Sequence, residues 1–353
     1  MDGSLLSDEN LFFIGCIILG IIVLLAILSY LIIRWTQPAS SDVGQPATIT
    51  HCSMGKRGEM GNQIFQIATV VAAAIPSNAE VVLPERMKNE PVWQLFNLDH
   101  FPLENIRPDV RHLEYDNFQQ LDIKADGKVH DIRGYRQNYQ YFDQHSEKIR
   151  QLFVPKQEIL DSVRTGLPEQ YIAVHIRRGD YMKAMHHIPL LREFRRCQID
   201  YYREAIRRIR VHYPSCPIFI CTDSPKWAKT ILPQIDAQAQ LAPIPEGIKP
   251  MHSDFCTLYL ADAVVMSNST FSWWASYLNP HRPVICPTPW WDPDGFVGTA
   301  IGLDGPYMHY PAWALLDADS GALVRRPHSE DGNRPDRGSD TLSVYRLFRG
   351  MIL

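Results

Sequence analysis

Two arginines follow an apolar, strand-like run near the middle of the chain, in the segment VHIRRGDYM (174–182). Guanidinium groups are costly where a buried strand ends unless they meet an anion, and their planar forks match phosphate oxygens. Because side chains alternate along a strand, His175 and Arg177 share one face and Arg178 lies on the other. We therefore predict that Arg177 faces a phosphate group beside His175, whereas Arg178 pairs with Asp180. A purely structural cluster of ion pairs is the alternative.

A glycine-rich turn precedes a helical pattern in GKRGEMGNQIFQIA (55–68). Gly58 and Gly61 would let backbone N–H groups approach an anion, and the start of the helix adds positive potential. By itself this segment also fits a plain tight turn. It therefore indicates an anion site only in combination with other segments.

A third segment, SNSTFSWWASYLNP (267–280), runs from an apolar strand into hydroxyl side chains and then a helix. Hydroxyls and N–H groups at the start of a helix form a second possible anion site. Asn268 begins a glycosylation sequon, but its position between a strand and a helix makes it a poor acceptor. We expect Trp273 and Trp274 to pack the helix rather than to bind sugar.

Strand-like and helix-like segments alternate around these motifs. This alternation favours parallel sheets covered by helices on both faces, in which ligands bind beyond the carboxyl ends of the strands. Two α/β units with a cleft between them fit the length of 353 residues. The predicted strands are 47–52, 79–83, 171–177, 217–223, 261–267 and 283–287, and the predicted helices are 62–74, 199–213, 224–232 and 270–278.

Composition excludes several classes of protein. With 35 Lys and Arg against 39 Asp and Glu, the net charge of −4 argues against a strongly basic nucleic-acid binder. Hydrophobic residues make up 45% of the chain, which excludes bulk disorder. The seven cysteines include no C-x-x-C pair, which argues against a zinc module. Six of them follow the apolar N-terminal segment and either form disulfides or are small buried side chains: Cys52, Cys197, Cys216, Cys221, Cys256 and Cys286.

Residues 11–33 contain no charged side chain. As a helix they would reach about 34 Å, enough to cross a hydrocarbon core of about 30 Å. A cleavable signal peptide is the alternative, but the preceding residues are acidic rather than basic. We predict one retained membrane span followed by a short stem. The single flanking basic residue, Arg34, weakly favours an outside N-terminus.

Together, GEMGNQIFQ, HIRRGDY and SNSTFSWWASYLN resemble the α1,2-fucosyltransferase family, the galactoside 2-α-L-fucosyltransferases that use GDP-fucose. The family pattern is a GxxGNQxFQ loop, an H-x-RRGDY strand end and an SNSTFSWW-type helix start. The resemblance spans about residues 50 to 290. Glu59 departs from it where a basic or small residue is expected. Residues 184–193 match nothing distinctive, and we assign them to acceptor choice.

The resemblance implies a GT-B-type pair of Rossmann-like domains with a cleft between them, preceded by a single transmembrane helix. Acceptor would bind mainly to the first domain and GDP-fucose mainly to the second. The implied divisions are a cytosolic tail (1–10), a signal anchor (11–33), a stem (34–48), an acceptor-side domain (49–160), a GDP-fucose-binding domain (161–322) and a C-terminal tail (323–353).

The resemblance also implies the residues of the donor site and the reaction. Fucose would pass to the 2-hydroxyl of a terminal galactoside with inversion, while Arg177 and the N–H groups at 269–272 stabilise the departing GDP. The residues implied around the nucleotide are His175, Arg177, Asp223, Asp254, Ser269, Thr270, Phe271 and Ser272, with Gly58, Gly61, Asn62 and Gln63 closing over it. Asp180, His186 and His187 are candidate bases by residue type and proximity.

We expect no metal and no cofactor beyond the donor substrate. Asp292-x-Asp294 has the spacing used by metal-dependent sugar transferases, but Pro293 and Gly295 favour a turn. An arginine-based site would make a metal redundant.

Three alternatives stay open, the first of which also uses GDP-fucose. They are a transferase of other linkage or acceptor, a non-catalytic glycan-binding membrane protein, and an adhesion protein acting through the RGD tripeptide (178–180). The enzyme interpretation implies a single-pass type II Golgi membrane protein with a lumenal catalytic domain. Its partners would be GDP-fucose, a galactose-terminated glycan and the lipid bilayer around 11–33, with no nucleic acid.

Overall fold

The computed structural model describes residues 25, 27–29, 45–56, 58–113, 118–179, 197–291 and 306–325. The first part of the chain forms a sheet of four parallel strands in the order β2-β1-β4-β3. These strands are β1 (Thr48–Thr50), β2 (Glu80–Val81), β3 (Val110–His112) and β4 (Val129–Ile132). The helices of this part are α1 (Met60–Ala74), α2 (Pro91–Leu95), α3 (Ser146–Leu152) and α4 (Gln157–Arg164), with 3-10 turns at Glu85–Asn89, Tyr139–Tyr141 and Asp143–His145.

A second parallel sheet has six strands in the order β10-β9-β8-β5-β6-β7. They are β5 (Ile172–Ile176), β6 (Ile218–Thr222), β7 (Ala239–Leu241), β8 (Ala263–Val265), β9 (Val284–Thr288) and β10 (Ala314–Asp317). Its helices are α5 (Ile199–Arg210), α6 (Pro225–Ile235), α7 (Pro250–Leu260) and α8 (Thr270–Tyr277), and a 3-10 turn covers Pro306–Met308. The strand order is that of a doubly wound sheet. All six strands are parallel, and the order in which the chain adds them changes direction at the switch point between β5 and β8. The predicted α/β fold with parallel sheets is confirmed.

Alternation along β5 divides its side chains between the two faces of the sheet. Ile172 and Val174 are fully buried in a cluster with residues of α5, such as Tyr201. Ala173 belongs to the larger cluster that includes Phe255 of α7. The strand is therefore buried on both faces, as its continuous apolar sequence predicts.

Aromatic residues join the two sheets into one core. The ring of Phe65 in α1 lies 4.7 Å from that of Trp273 and 4.9 Å from that of Trp274, both in α8. Phe142 stacks on Trp274 at 5.0 Å. Both tryptophans are fully buried, so they pack the helix as predicted. The helix α1 is thereby held directly against α8.

Further predictions concern the membrane span, other segments outside the described ranges, and the cysteines. Within the described ranges, no helix is long and apolar enough to cross a membrane. The predicted span 11–33 lies outside them except at residues 25 and 27–29, and so do the end of the C-terminal tail and Asp292-x-Asp294. No two of the six described cysteines form a disulfide, and Cys221, Cys256 and Cys286 are buried.

Candidate active site

Two of the three predicted motifs meet at the switch point of the second sheet, between β5 and β8. Arg177 follows the end of β5, and Ser267 lies just beyond the end of the neighbouring strand β8. Asp223 follows β6, on the other side of β5. Carboxyl ends of adjacent parallel strands lie at one edge, which is where doubly wound sheets bind ligands.

His175 ties the end of β5 to the start of α8. Its Nδ1 lies 2.8 Å from the Ser267 hydroxyl oxygen and 2.9 Å from that of Ser272. The side chain is buried, and this burial, with the nearby charge of Arg177, lowers the pKa of His175 to about 3. The imidazole is therefore neutral and positions the two segments. Its predicted place beside the nucleotide stays a prediction.

Arg177 is paired with Asp223 at the edge of the sheet. The Arg177 Nη1 atom lies 3.2 Å from Asp223 Oδ2, and the two side chains are 24% and 22% exposed. The other carboxylate oxygen accepts hydrogen bonds from the backbone N–H groups of Arg178 and Gly179, at 3.0 and 2.9 Å. Asp223 thus holds the loop after β5 and orients Arg177. The prediction that Asp223 contacts ribose or guanine stays untested, and sequence reasoning missed this pairing.

Arg178 lies on the opposite face from Arg177, as alternation predicts. Its guanidinium carbon is 4.0 Å from the centre of the Trp227 ring, a cation–π contact. Arg178 and Gly179, the first two residues of the RGD tripeptide, are half-buried rather than exposed. The predicted partner Asp180 and the other candidate bases, His186 and His187, lie outside the described residues.

Asp254 lies on α7 behind the end of β6. Its Oδ2 accepts a hydrogen bond from the backbone N–H of Thr222 at 3.1 Å. Burial, reinforced by the nearby Asp223, raises the pKa of Asp254 to about 7 although that hydrogen bond opposes the shift. The carboxyl group can therefore hold a proton near neutral pH. Its predicted contact with the nucleotide stays a prediction.

Close contacts require glycine at two positions of the first motif, Gly58 and Gly61. Gly58 has φ of +83°, and a Cβ atom there would lie 2.8 Å from both Asn62 Cβ and Tyr135 Cε1. A Cβ atom on Gly61 would lie 2.5 Å from the Thr270 hydroxyl oxygen and 2.7 Å from the Phe271 nitrogen. Gly58 therefore allows a left-handed turn, and Gly61 allows α1 to approach α8. The first and third motifs are in contact.

Asn62 of α1 connects the loop after β4 to the start of α8 through one oxygen atom. Its Oδ1 accepts hydrogen bonds from Gln137 Nε2 at 2.8 Å and from the Thr270 hydroxyl at 3.1 Å. The neighbouring Gln63 is buried and donates from Nε2 to Glu90 Oε2 at 2.7 Å. Asn62 therefore lies between the first motif, the loop after β4 and the start of α8. Gln63 instead bonds within the first half of the chain. The predicted closure of both residues over the nucleotide stays untested.

A hydroxyl side chain caps the start of α8, and its predicted contact with a nucleotide stays a prediction. Ser269 caps the helix, and its side chain accepts a hydrogen bond from the Phe271 N–H at 3.4 Å. The Phe271 ring lies 5.3 Å from the His175 ring. Asn268 is 2% exposed and donates to the Trp290 carbonyl at 3.1 Å, so the sequon asparagine is inaccessible in the fold.

The loop after β4 contributes residues that the sequence analysis missed. Tyr135 and Gln137 contact Gly58 and Asn62, as given above, and the buried Arg136 lies between them. The segment GYRQNY carries no motif, and β4 itself was not predicted. Among the described residues there is also no group of three or more side chains suited to hold a metal ion.

The geometry therefore combines an oriented arginine, a capped helix start and a glycine turn at one sheet edge. Arginine side chains and helix starts of this kind can bind an anion.

Known proteins resemble this chain over the same region. A 27% identical relative, the alpha-1,2-colitosyltransferase of Escherichia coli, matches over 269 residues, which are 67% of this chain and 90% of that protein. Galactoside alpha-(1,2)-fucosyltransferase 1 of Bos taurus is 24% identical over 243 residues, and the human protein of that name is 25% identical over 237. The chain spans 64% and 63% of the length of these two, respectively.

Solved structures of fucosyltransferases also align with this chain. POFUT1 in its apo form aligns at 15% identity and a TM-score of 0.42, covering 70% of this chain and 99% of that protein. Fucosyltransferase NodZ from Bradyrhizobium aligns at 14% identity and a TM-score of 0.41, covering 67% and 94%. The sequence model for glycosyl transferase family 11 matches residues 31–298, which include all three motifs. The chain belongs to glycosyl transferase family 11.

Proposed function

We propose that the protein transfers L-fucose from GDP-fucose to the 2-hydroxyl of a terminal galactoside, with inversion at the anomeric carbon. Family membership and the names of the mammalian relatives support this function. The observation that carries it is the position of Arg177 and the start of α8 at adjacent strand ends of the doubly wound sheet. That edge suits the diphosphate of a nucleotide sugar.

The charges at this edge suit departure of a nucleoside diphosphate. As the bond from fucose to the β-phosphate breaks, negative charge grows on the phosphate oxygens. Arg177, oriented by Asp223, and the helix start after Ser269 would stabilise that charge more strongly as the bond breaks. These groups supply the charge that a metal ion supplies in other transferases, so we propose a metal-independent reaction. The candidates for the catalytic base are Asp180, His186 and His187.

We further propose the GT-B arrangement and the membrane setting. The first sheet lies within residues 48–132 and the second within 172–317, which supports an acceptor-side domain at 49–160 and a donor-side domain at 161–322. The uncharged segment 11–33 would anchor the chain in the Golgi membrane with the catalytic part in the lumen. Protease protection of residues 49–353 in sealed vesicles tests this orientation.

A second donor sugar is favoured by one comparison. The Escherichia coli relative is named as a colitosyltransferase, and the match covers 90% of it. Colitose is L-fucose without the 3-hydroxyl group, so the two donors differ at one position of the sugar. Transfer of colitose from its GDP derivative is therefore the second candidate function.

One experiment tests both donors. The full chain in detergent is incubated with GDP-fucose or GDP-colitose and β-galactoside acceptors in the presence of EDTA, and product linkage is mapped by NMR. Fucose on the galactose 2-hydroxyl supports the proposal, and preference for GDP-colitose supports the second candidate. Loss of transfer in Arg177→Ala, but not in Arg207→Ala on the exposed side of α5, assigns the donor site. Binding of GDP-fucose without transfer would contradict the proposed enzyme and favour a non-catalytic binding protein.

A further inference from the structure

Two exposed apolar side chains lie on neighbouring loops at the carboxyl edge of the first sheet, and one of them lies beside the glycine turn. Leu113, directly after β3, is 53% exposed, and Tyr135, in the loop after β4, is 39% exposed. The Tyr135 ring lies directly against the turn, because a Cβ atom on Gly58 would be 2.8 Å from Tyr135 Cε1. We call Leu113 and Tyr135 the rim patch.

A buried arginine fixes the rim patch in place. Arg136 is 1% exposed and has φ of +53°, a left-handed conformation that is costly for a residue with a side chain. Its guanidinium donates to the carbonyl oxygens of His112 and Leu113, each at 2.8 Å, and to that of Arg133 at 2.7 Å. These bonds fasten the loops after β3 and β4 to each other. Strained backbone that is held by several contacts is frequent at binding sites.

The same loop is connected to the donor side of the cleft. Gln137, two residues after Tyr135, donates to Asn62, which in turn accepts from the Thr270 hydroxyl at the start of α8. A ligand on the rim patch would therefore lie across the glycine turn from the donor edge. A transferase needs its acceptor and donor bound next to each other, because the attacking hydroxyl must be positioned near the anomeric carbon.

The chemistry of the rim patch suits a neutral sugar rather than a nucleotide. A diphosphate needs cationic or N–H donors, which Arg177 and the start of α8 provide on the second sheet. An aromatic ring beside an aliphatic side chain provides an apolar surface with one polar tip. In a galactoside the axial 4-hydroxyl leaves the C–H groups at positions 3, 4 and 5 together on one face, which can lie flat on an aromatic ring.

We infer that Leu113 and Tyr135 form the platform on which the acceptor galactoside stacks its apolar face. This inference rests on the proposed function and deepens it, because it names residues that select the acceptor. Tyr135 contributes through its ring, and Leu113 extends the surface.

Steady-state kinetics of the full chain in detergent test the platform. We expect Tyr135→Ala to raise the KM for a β-galactoside about tenfold, as loss of a stacked aromatic contact does, and to change the KM for GDP-fucose less than about twofold. Tyr135→Phe, which retains the ring, should behave as the wild type. Leu113→Ala should raise the acceptor KM in the same direction, and Val211→Ala, an exposed aliphatic residue after α5, serves as its control.

Saturation-transfer NMR with lactose in the presence of GDP gives a readout that does not need turnover. We expect the galactose H3, H4 and H5 protons to receive the strongest saturation, and this signal should fall in Tyr135→Ala and Leu113→Ala. An unchanged acceptor KM in both alanine variants would overturn the inference, as would an equal rise in the GDP-fucose KM. If the wild type transfers no sugar, the proposed function fails, and the NMR contacts still decide whether the rim patch binds galactosides.

Discussion

Gly61 of α1 and Thr270 of α8 approach each other so closely that a methyl group on residue 61 would lie 2.5 Å from the threonine hydroxyl oxygen and 2.6 Å from its carbonyl carbon. This contact joins the glycine turn of the first motif to the start of α8. The family resemblance implied that both segments belong to one site, and the contact explains why residue 61 must lack a side chain.

The sign of the change in unfolding free energy caused by Gly61→Ala tests this close approach. Replacing glycine by alanine within a helix is expected to stabilise it by up to about 1 kcal/mol. Here the added methyl group meets backbone atoms of Thr270 and Phe271, so we expect a loss of about 1–3 kcal/mol in the free energy of unfolding. Urea unfolding measures it. Gly166→Ala, whose Cβ would meet only Pro243 Cγ closer than 3.4 Å, is the control. A stabilised Gly61→Ala would contradict the contact.

Arg177 and Asp223 should behave as one unit in a double-mutant cycle. Arg177→Ala is expected to lower kcat about 10²–10³-fold, the usual effect of removing a group that stabilises developing charge. Asp223→Asn removes the charge that orients Arg177 and should have a smaller effect in the same direction. Because Asp223 acts through Arg177, the double variant should be no slower than Arg177→Ala. Additive losses in transfer rate would show that Asp223 instead contacts the substrate independently.

His175 should make stability fall under acidic conditions. Burial lowers its pKa to about 3 in the folded chain, against 6.5 in the unfolded chain. Between these values the unfolded chain binds one more proton, so stability decreases as pH falls, by about 1.4 kcal/mol per pH unit. Urea unfolding between pH 7 and 5 should show a shallower dependence in His175→Gln than in the wild type. Equal slopes would mean that His175 is protonated in the fold.

Asp254 should make stability fall as the pH rises, which is opposite to the effect of His175. Its pKa is raised to about 7 in the fold, mainly by burial, from 3.8. Between these values the folded chain binds the additional proton, so this contribution to stability is present at low pH and is lost as pH rises toward 7. We therefore expect Asp254→Asn to gain stability relative to the wild type between pH 5 and pH 8. A constant difference in unfolding free energy would show that the carboxyl group titrates normally.

The strongly apolar strands of the second sheet could be predicted from the sequence. The run 171–177 predicted β5, observed at Ile172–Ile176, because strands buried on both faces have continuous apolar sequences. In contrast, β4 is Val129–Ile132, in which His130 and Asp131 interrupt the apolar pattern, so it was not predicted. Its buried polar residues are satisfied by partners that a single sequence cannot reveal: Asp131 accepts from the Cys52 N–H at 2.8 Å.

The meeting of the second and third motifs at one sheet edge was easier to predict than the contacts that support it. Alternation along a strand correctly separated the faces of Arg177 and Arg178, because that rule depends only on local backbone geometry. The pairing of Arg177 with Asp223 and the links made by Asn62 depend on residues brought together by the fold. Tyr135 carried no signal because the strand that presents it was itself not recognised.

The aromatic cluster of Phe65, Phe142, Trp273 and Trp274 has a consequence for how the protein can be divided. Cutting the chain between the two sheets would leave large rings from both pieces in water, and each fragment would have lost part of its own interior. Neither fragment should fold alone, and the intact protein should melt in a single cooperative step. Exchange of residues 49–160 between relatives would therefore succeed only when the matching helix α8, which carries both tryptophans, is exchanged with them.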